Sequence, residues 1–147
     1  MTMGVTREEL RQAGTEVYDR WTAMWNGELA LAEEIMAPDF TLRYAQAGTE
    51  AFDEVRTPGR LAEVIAQWHA GRTELRFEAE GVPVVDLEPV GGSWSGLVAR
   101  PYRATFADAE GAPVVRSGTD TLRIVDGLIT EVWSVSSGAH GRSFYRS

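Results

Sequence analysis

A chain of 147 residues, 44% hydrophobic and 24% charged, has the size and composition of one soluble globular domain able to bury its own core. Its net charge of −8 argues against a nucleic-acid backbone or an anionic membrane surface as partner, since either demands a basic patch. The absence of cysteine excludes disulfides and thiolate chemistry. No apolar run reaches the length of a signal-peptide core or a bilayer span, so a cytoplasmic location is expected.

Thr6-x-x-Glu9 reads as a capping box that opens a first helix. Leu10, Ala13, Val17, Trp21, Met24 and Trp25 then recur at three- and four-residue steps, which makes one apolar face. Asn26-Gly27 stops it. A short second helix is expected from about Leu29 to Met36, ended by Pro38. Phe40–Tyr44 alternates as a first strand, and residues 45–56 read as a polar loop without period. Thr57-Pro58 starts a third helix, with proline where its missing N–H costs nothing. Leu61, Val64, Ile65 and Trp68 form its buried stripe, and Ala70-Gly71 ends it.

Beyond Gly71 the chain is strand-like. Leu75–Ala79 alternates, Val82–Leu87 continues or pairs beside it, and Glu88–Gly92 reads as a turn. Ser93–Ala107 is one long strand in which Pro101 is expected at a bulge or an unpaired position. A second turn, Asp108–Pro113, leads into a strand that begins at Val114. Thr119–Val125 and Leu128–Val135 flank Asp126-Gly127, the pair that a two-residue hairpin turn with φ > 0 favours. Asp120 shares a strand face with Leu122 and Ile124, so it is expected to point inward. The tail from Ser136 has no period, although Phe144 and Tyr145 could fold back onto the body. Helices followed by a run of strands predict an α+β fold of one domain over residues 1–147. In it a curved antiparallel sheet packs against three N-terminal helices to form a cone with an interior cavity.

Three stretches resemble the nuclear transport factor 2-like superfamily, and within it the SnoaL-like polyketide cyclases. They are Trp25–Gly27 with Ala37–Phe40, the helix Pro58–His69, and Gly118-Thr119-Asp120 followed by Leu122–Trp133. The resemblance covers nearly the whole chain. It implies a cone-shaped fold, a small apolar or aromatic ligand, cofactor-free acid–base chemistry, and a homodimer built through the outer sheet face. SnoaL-like cyclases keep a histidine where this chain has Asp120, and an acidic residue where it has Ser134. Ketosteroid isomerase relatives carry their base near the position of Tyr44, and the epoxide hydrolase-like branch uses an arginine in the strand of Arg100 and Arg103. The superfold hosts unrelated activities, so it says more about fold than about function.

Asp120 is the leading catalytic candidate, because a carboxylate among apolar neighbours has a raised pKa suited to proton transfer near neutral pH. Its structural alternative is a pair with Arg100 or Arg103, or a bond to backbone near Gly118. Tyr44 and Tyr102 could donate an O–H to a developing oxyanion, or serve as aromatic wall. Arg100 shares strand parity with Tyr102 and could hold a substrate carboxylate or orient Asp120; the alternative is a solvent-facing arginine. His69 is a further polarising candidate, or a partly positive side chain at a helix C-terminus. Trp21, Trp25, Trp68 and Ser134 would line the pocket, while Trp133 faces outward toward a second subunit. Two distant histidines and no carboxylate cluster leave no metal site. Two functions follow: an acid–base enzyme acting on an apolar substrate, or a non-catalytic binding protein with the same pocket.

Overall fold

The computed structural model describes residues 4–145; Met1–Met3 and Arg146-Ser147, the two ends of the domain read above, lie outside them. Thr6 caps α1 (Arg7–Trp25) as its sequence signature requires, the hydroxyl accepting the Glu9 N–H at 3.1 Å. Asn26 ends the helix and does more than stop it. Its side-chain amide donates to the Phe77 carbonyl at 2.9 Å and accepts the Phe77 N–H at 2.7 Å, so the end of α1 is tied to a strand 51 residues away. The second helix, α2, is shorter than its sequence suggests, Leu31–Ile35. Strand β1 (Met36–Tyr44) follows without a break, and Pro38 lies inside it, where the register shifts between Met36 and Thr41. Proline is tolerated there because β1 is an edge strand.

Residues 45–56 are not a featureless loop. A 3-10 turn over Glu50–Glu54 buries Phe52, which stacks on Tyr44 with ring centroids 4.4 Å apart. Helix α3 (Pro58–Ala70) begins at a Thr57 cap with proline in the first turn and buries Leu61, Val64 and Ile65.

Five strands follow: β2 (Thr73–Ala79), β3 (Val84–Val90), β4 (Ser93–Ala107), β5 (Pro113–Val125) and β6 (Leu128–Ser136). The sheet order is β1-β6-β5-β4-β2, with β3 also paired to β4. All pairs are antiparallel except β1 with β6, which run parallel. The sheet is therefore mixed, a correction to the antiparallel expectation that comes from β1 returning to the far edge. The turn expected over Glu88–Gly92 contracts to Gly91-Gly92, both at positive φ, because Glu88, Pro89 and Val90 all pair with β4. Asp126 and Gly127 also have positive φ, 51° and 82°, as a two-residue hairpin requires.

Pro101 makes no bulge, since β4 and β5 pair in unbroken register from Gly96–Ile124 to Ala107–Pro113. Its carbonyl accepts the Glu80 N–H, so its nitrogen points to the same side of the strand. That side is the gap between β2, whose last paired residue faces Tyr102, and β3, whose first faces Ala99. The missing N–H falls where no partner stands, and the parity that puts Arg100 and Tyr102 on one face survives. A bulge does occur in β6. Ile124 pairs with Ile129 but Arg123 pairs with Glu131, so Thr130 is the extra residue and Ile129 and Val132 both reach the core.

Candidate active site

The inward faces of β4, β5 and β6 fill the concave side of the sheet in rows set by the two-residue strand period. Tyr102, Ala104 and Phe106 come from β4, Arg116, Gly118 and Asp120 from β5, and Ser134 and Ser136 from β6. Gly118 sits in the middle of this array for a steric reason. A Cβ there would lie 2.7 Å from the Tyr102 hydroxyl and collide with the Val135 carbonyl. The α1 face supplies Tyr18, Trp21 and Trp25, and together these groups enclose a cavity of about 260 Å³. Its deep end holds Asp120 and Ser134, both buried, while the exposed lining residues Ala47, Gly48 and Ala139 mark its mouth.

Asp120 is 6% exposed and faces the Arg100 backbone on one side and Ser134 on the other. Its Oδ2 accepts the indole N–H of Trp21 at 3.0 Å. Its Oδ1 is buried without a hydrogen-bond partner among the described residues. Burial pushes the carboxyl up to about 6, partly offset by the Ser134 hydroxyl and the Trp21 N–H. Of those two, only the Trp21 contact has full hydrogen-bond geometry.

Three phenols surround this carboxylate. Burial and then the charge of Asp120 raise the pKa of Tyr18, Tyr44 and Tyr102 well above the ordinary phenol value; for Tyr102, contacts with Ser134 and Ser136 oppose the rise. They stay protonated through the physiological range and can only donate or share a proton. Tyr18 is already committed, donating to the Arg100 carbonyl at 3.0 Å. Tyr44 and Tyr102 line the cavity, the latter with its ring 6.1 Å from Phe77.

Trp25 is the hub of the aromatic wall, with Trp21, Phe52, Trp68 and Phe77 centred 5.4–6.5 Å from it at tilted or edge-on angles. Such contacts add to area burial and hold the wall rigid. Trp21, Trp25, Trp68, Tyr102, Tyr44 and Ser134 all line the cavity with Asp120.

Two candidates lie elsewhere. Arg100 does share the inward face, but its guanidinium lies over the Tyr18 ring and is taken by Asp19 at 3.1 Å, the Glu80 carbonyl at 3.2 Å and the Gly81 carbonyl. It clasps the β2–β3 junction to α1 and does not line the cavity. Nor does it pair with Asp120. Arg103 is equally distant from that role, held by Glu78 and Glu80. The His69 Nε2 lies 2.6 Å from the Trp25 carbonyl, so the ring bridges α3 to the end of α1 outside the cavity lining. His140 is exposed. Among the described residues no cluster of His, Cys, Asp or Glu could hold a metal.

Tyr18, Phe52, Phe77, Arg72 and Arg116 are lining residues that the sequence did not single out. Tyr18 was within reach, three residues before Trp21 on the same helix face. Phe52, the lone aromatic of a polar stretch, was a weaker sign.

A family model described as a SnoaL-like domain matches residues 15–132. The chain belongs to the SnoaL-like domain family. This family lies within the nuclear transport factor 2-like superfamily, as the α+β cone indicates. No functionally curated protein matches the sequence. Among solved structures, a proposed polyketide cyclase of Acidithiobacillus ferrooxidans is similar at 15% identity and TM-score 0.64, over 92% of this chain and 91% of that one. The wild-type IdmH of Streptomyces antibioticus, another proposed polyketide cyclase, gives 20% and 0.62 over 84% and 91%. A nuclear transport factor 2-like protein of Salmonella enterica gives 12% and 0.66 over 96% and 100%. At such identities the likeness is one of fold. Among the described residues no helix is long and apolar enough to cross a membrane.

Proposed function

We propose that this SnoaL-like domain is a cofactor-free acid–base enzyme acting on a small apolar substrate in its cone. The observation that carries the reading is Asp120, a buried carboxylate at the deep end of an aromatic cavity, with one oxygen unpartnered among the described residues. With its carboxyl near 6, Asp120 is mostly ionised at neutral pH yet basic enough to take a proton from carbon or oxygen. Tyr44 and Tyr102, held protonated by burial and by the same negative charge, would donate hydrogen bonds to the oxyanion that forms as the proton leaves. The protonated Asp120 then returns the proton to the product. Trp21 holds the carboxylate through Oδ2, which leaves Oδ1 for the transfer.

Nitrobenzisoxazole tests this chemistry without knowledge of the natural substrate. It is flat, apolar and opened by removal of one carbon-bound proton, the N–O bond breaking to give a coloured cyanophenolate. The wild-type protein should accelerate the opening, with a rate that rises through about pH 6, and Asp120→Asn should abolish the acceleration. An unchanged rate in Asp120→Asn overturns the assignment.

A second reading, a non-catalytic binding protein, is favoured by Ser134 standing where cyclase relatives hold an acid. It expects Asp120→Asn to bind apolar ligands as well as wild type and no compound to be transformed. We also propose a homodimer through the outer sheet face, where Val135 is exposed and Trp133 half-buried. Arg43 and Arg123 converge on Glu131 across the same face, so such an interface would mix apolar and ionic contacts. Sedimentation of a monomer at micromolar concentration would overturn it.

A further inference from the structure

The mouth of the cavity differs in charge from its floor. Arg72, between α3 and β2, stacks its guanidinium on Trp68 at 3.6 Å and stands 5.8 Å from the Phe106 ring. Arg116, on β5, stands 5.7 Å from that same ring. Both are half-buried, both line the cavity, and neither forms an ion pair among the described residues. Of the other described arginines, Arg20, Arg43, Arg56, Arg60, Arg76, Arg100, Arg103 and Arg123 all reach a carboxylate, and the remaining three, Arg7, Arg11 and Arg142, are exposed to solvent. In a chain of net charge −8, two neighbouring cations left without anions are out of character. Burial and then the nearby charge of Arg116 lower the pKa of Arg72. An anion between them would relieve that repulsion.

We propose that Arg72 and Arg116 form a carboxylate subsite at the cavity mouth, and that the ligand is an apolar body ending in a carboxylate. This deepens the enzymatic reading, since it rests on the cavity being a ligand site. Charge arithmetic favours a monoanion. The charged residues lining the cavity are Arg72, Arg116 and Asp120, which leaves one net positive charge with Asp120 ionised. Planar guanidiniums match the planar, two-oxygen carboxylate. The strand sets the ligand's length: Arg116 and Asp120 share one face of β5 four residues apart, about 13 Å at the usual rise. A ligand gripped by its carboxylate at the mouth therefore lays its apolar portion along Phe106, Phe77 and Trp25 toward Asp120.

Naphthylacetate and its neutral isostere naphthylacetamide provide the test, with binding measured by calorimetry on the full chain. Naphthylacetate should bind about tenfold or more tightly than the amide, against the repulsion of the protein's overall charge. High salt should weaken the acid and spare the amide. In the double variant Arg72→Gln, Arg116→Gln the acid should fall to the level of the amide, whose own affinity stays within about twofold. Arg56→Gln with Arg60→Gln, which removes the same charge outside the cavity lining, should preserve the preference. Equal binding of acid and amide to wild type, or a preference that survives the double glutamine variant, overturns the subsite and leaves the cavity reading standing. If neither compound binds, both fall together. Naphthyl phosphate binding more than about tenfold tighter than naphthylacetate would overturn the carboxylate assignment. Should the glutamine variant lose both compounds, Arg72→Lys with Arg116→Lys decides: the charge is kept, so the acid's preference must persist, and its loss overturns the subsite.

Discussion

The indole N–H of Trp21 donates to Oδ2 of Asp120 at 3.0 Å, joining the first helix to the penultimate strand across 99 residues of sequence. Among the described residues it is the one hydrogen bond in proper geometry that the buried carboxylate makes, and it helps to set the acidity of that group. Trp21→Phe keeps most of the ring volume and removes the donor. The charged form of Asp120 loses support, so its pKa must climb above about 6. A bond of this kind is worth on the order of one pH unit. The rising limb of the nitrobenzisoxazole rate profile should move to higher pH by that amount, and a limb that stays in place would separate Trp21 from the acid–base role.

Asp120 should also cost the protein stability above its native pKa. Its carboxyl is near 3.8 when unfolded and about 6 when folded, so between those values the folded state binds more protons. Stability from this group is fully present below about pH 4 and is lost as pH rises through 6. The loss at pH 8 is at most about 3 kcal/mol. Asp120→Asn should therefore raise the urea midpoint at pH 8 while leaving it little changed at pH 4, even as it removes activity. A variant less stable than wild type at pH 8 would show that the carboxylate makes more favourable contacts than its single bond suggests.

Arg100 separates a structural clasp from a catalytic cation. Arg100→Gln breaks the ion pair to Asp19 and leaves the Glu80 and Gly81 carbonyls without their donor. A loss of about 1–2 kcal/mol is expected, discounted for the exposure of Asp19. Thermal unfolding should register the loss, whereas KM for nitrobenzisoxazole and the midpoint of the pH profile should remain those of wild type.

Asn26 carries a comparable load at the other end of α1. Asn26→Ala removes both bonds to the Phe77 backbone and costs about 2 kcal/mol. Because Phe77 touches Trp25 in the cavity wall, affinity for naphthylacetamide should weaken together with stability. Asn26→Asp is the sharper probe: it can still accept the Phe77 N–H but sets a carboxylate oxygen against the Phe77 carbonyl, and should be at least as damaging.

Local chemistry made the elements legible. The caps at Thr6 and Thr57, the Asp126-Gly127 turn and the inward parity of Asp120 each depend on residues within a few positions of one another. Partners chosen across the fold were not legible in the same way. The alternatives for Asp120 named Arg100 and Arg103, its neighbours on an adjacent strand, while the partner found is Trp21 on a helix packed over the sheet. Arg100 had the right parity and stands directly opposite Asp120 in register, but its side chain turns to the β2–β3 junction, where Asp19 and two carbonyls claim it. The parallel pairing of β1 with β6 left no mark either, because parity within a strand does not reveal its neighbour's direction. Arg72 and Arg116 stood out only once their lack of partners could be seen.

Strand β4 meets β3 through Ser93–Ala99 and β2 through Tyr102–Ala107, with Pro101 at the seam. The first half leans on the core, where Val85 of β3 presses on Gly14 of α1. The second half presents Tyr102, Ala104 and Phe106 to the ligand space. Support and recognition thus occupy consecutive lengths of one strand with different neighbours. Substitutions that reshape the pocket can accumulate beyond Pro101 while the segment before it goes on holding the helix, which gives a physical route by which one scaffold diversifies its ligands without first losing its fold.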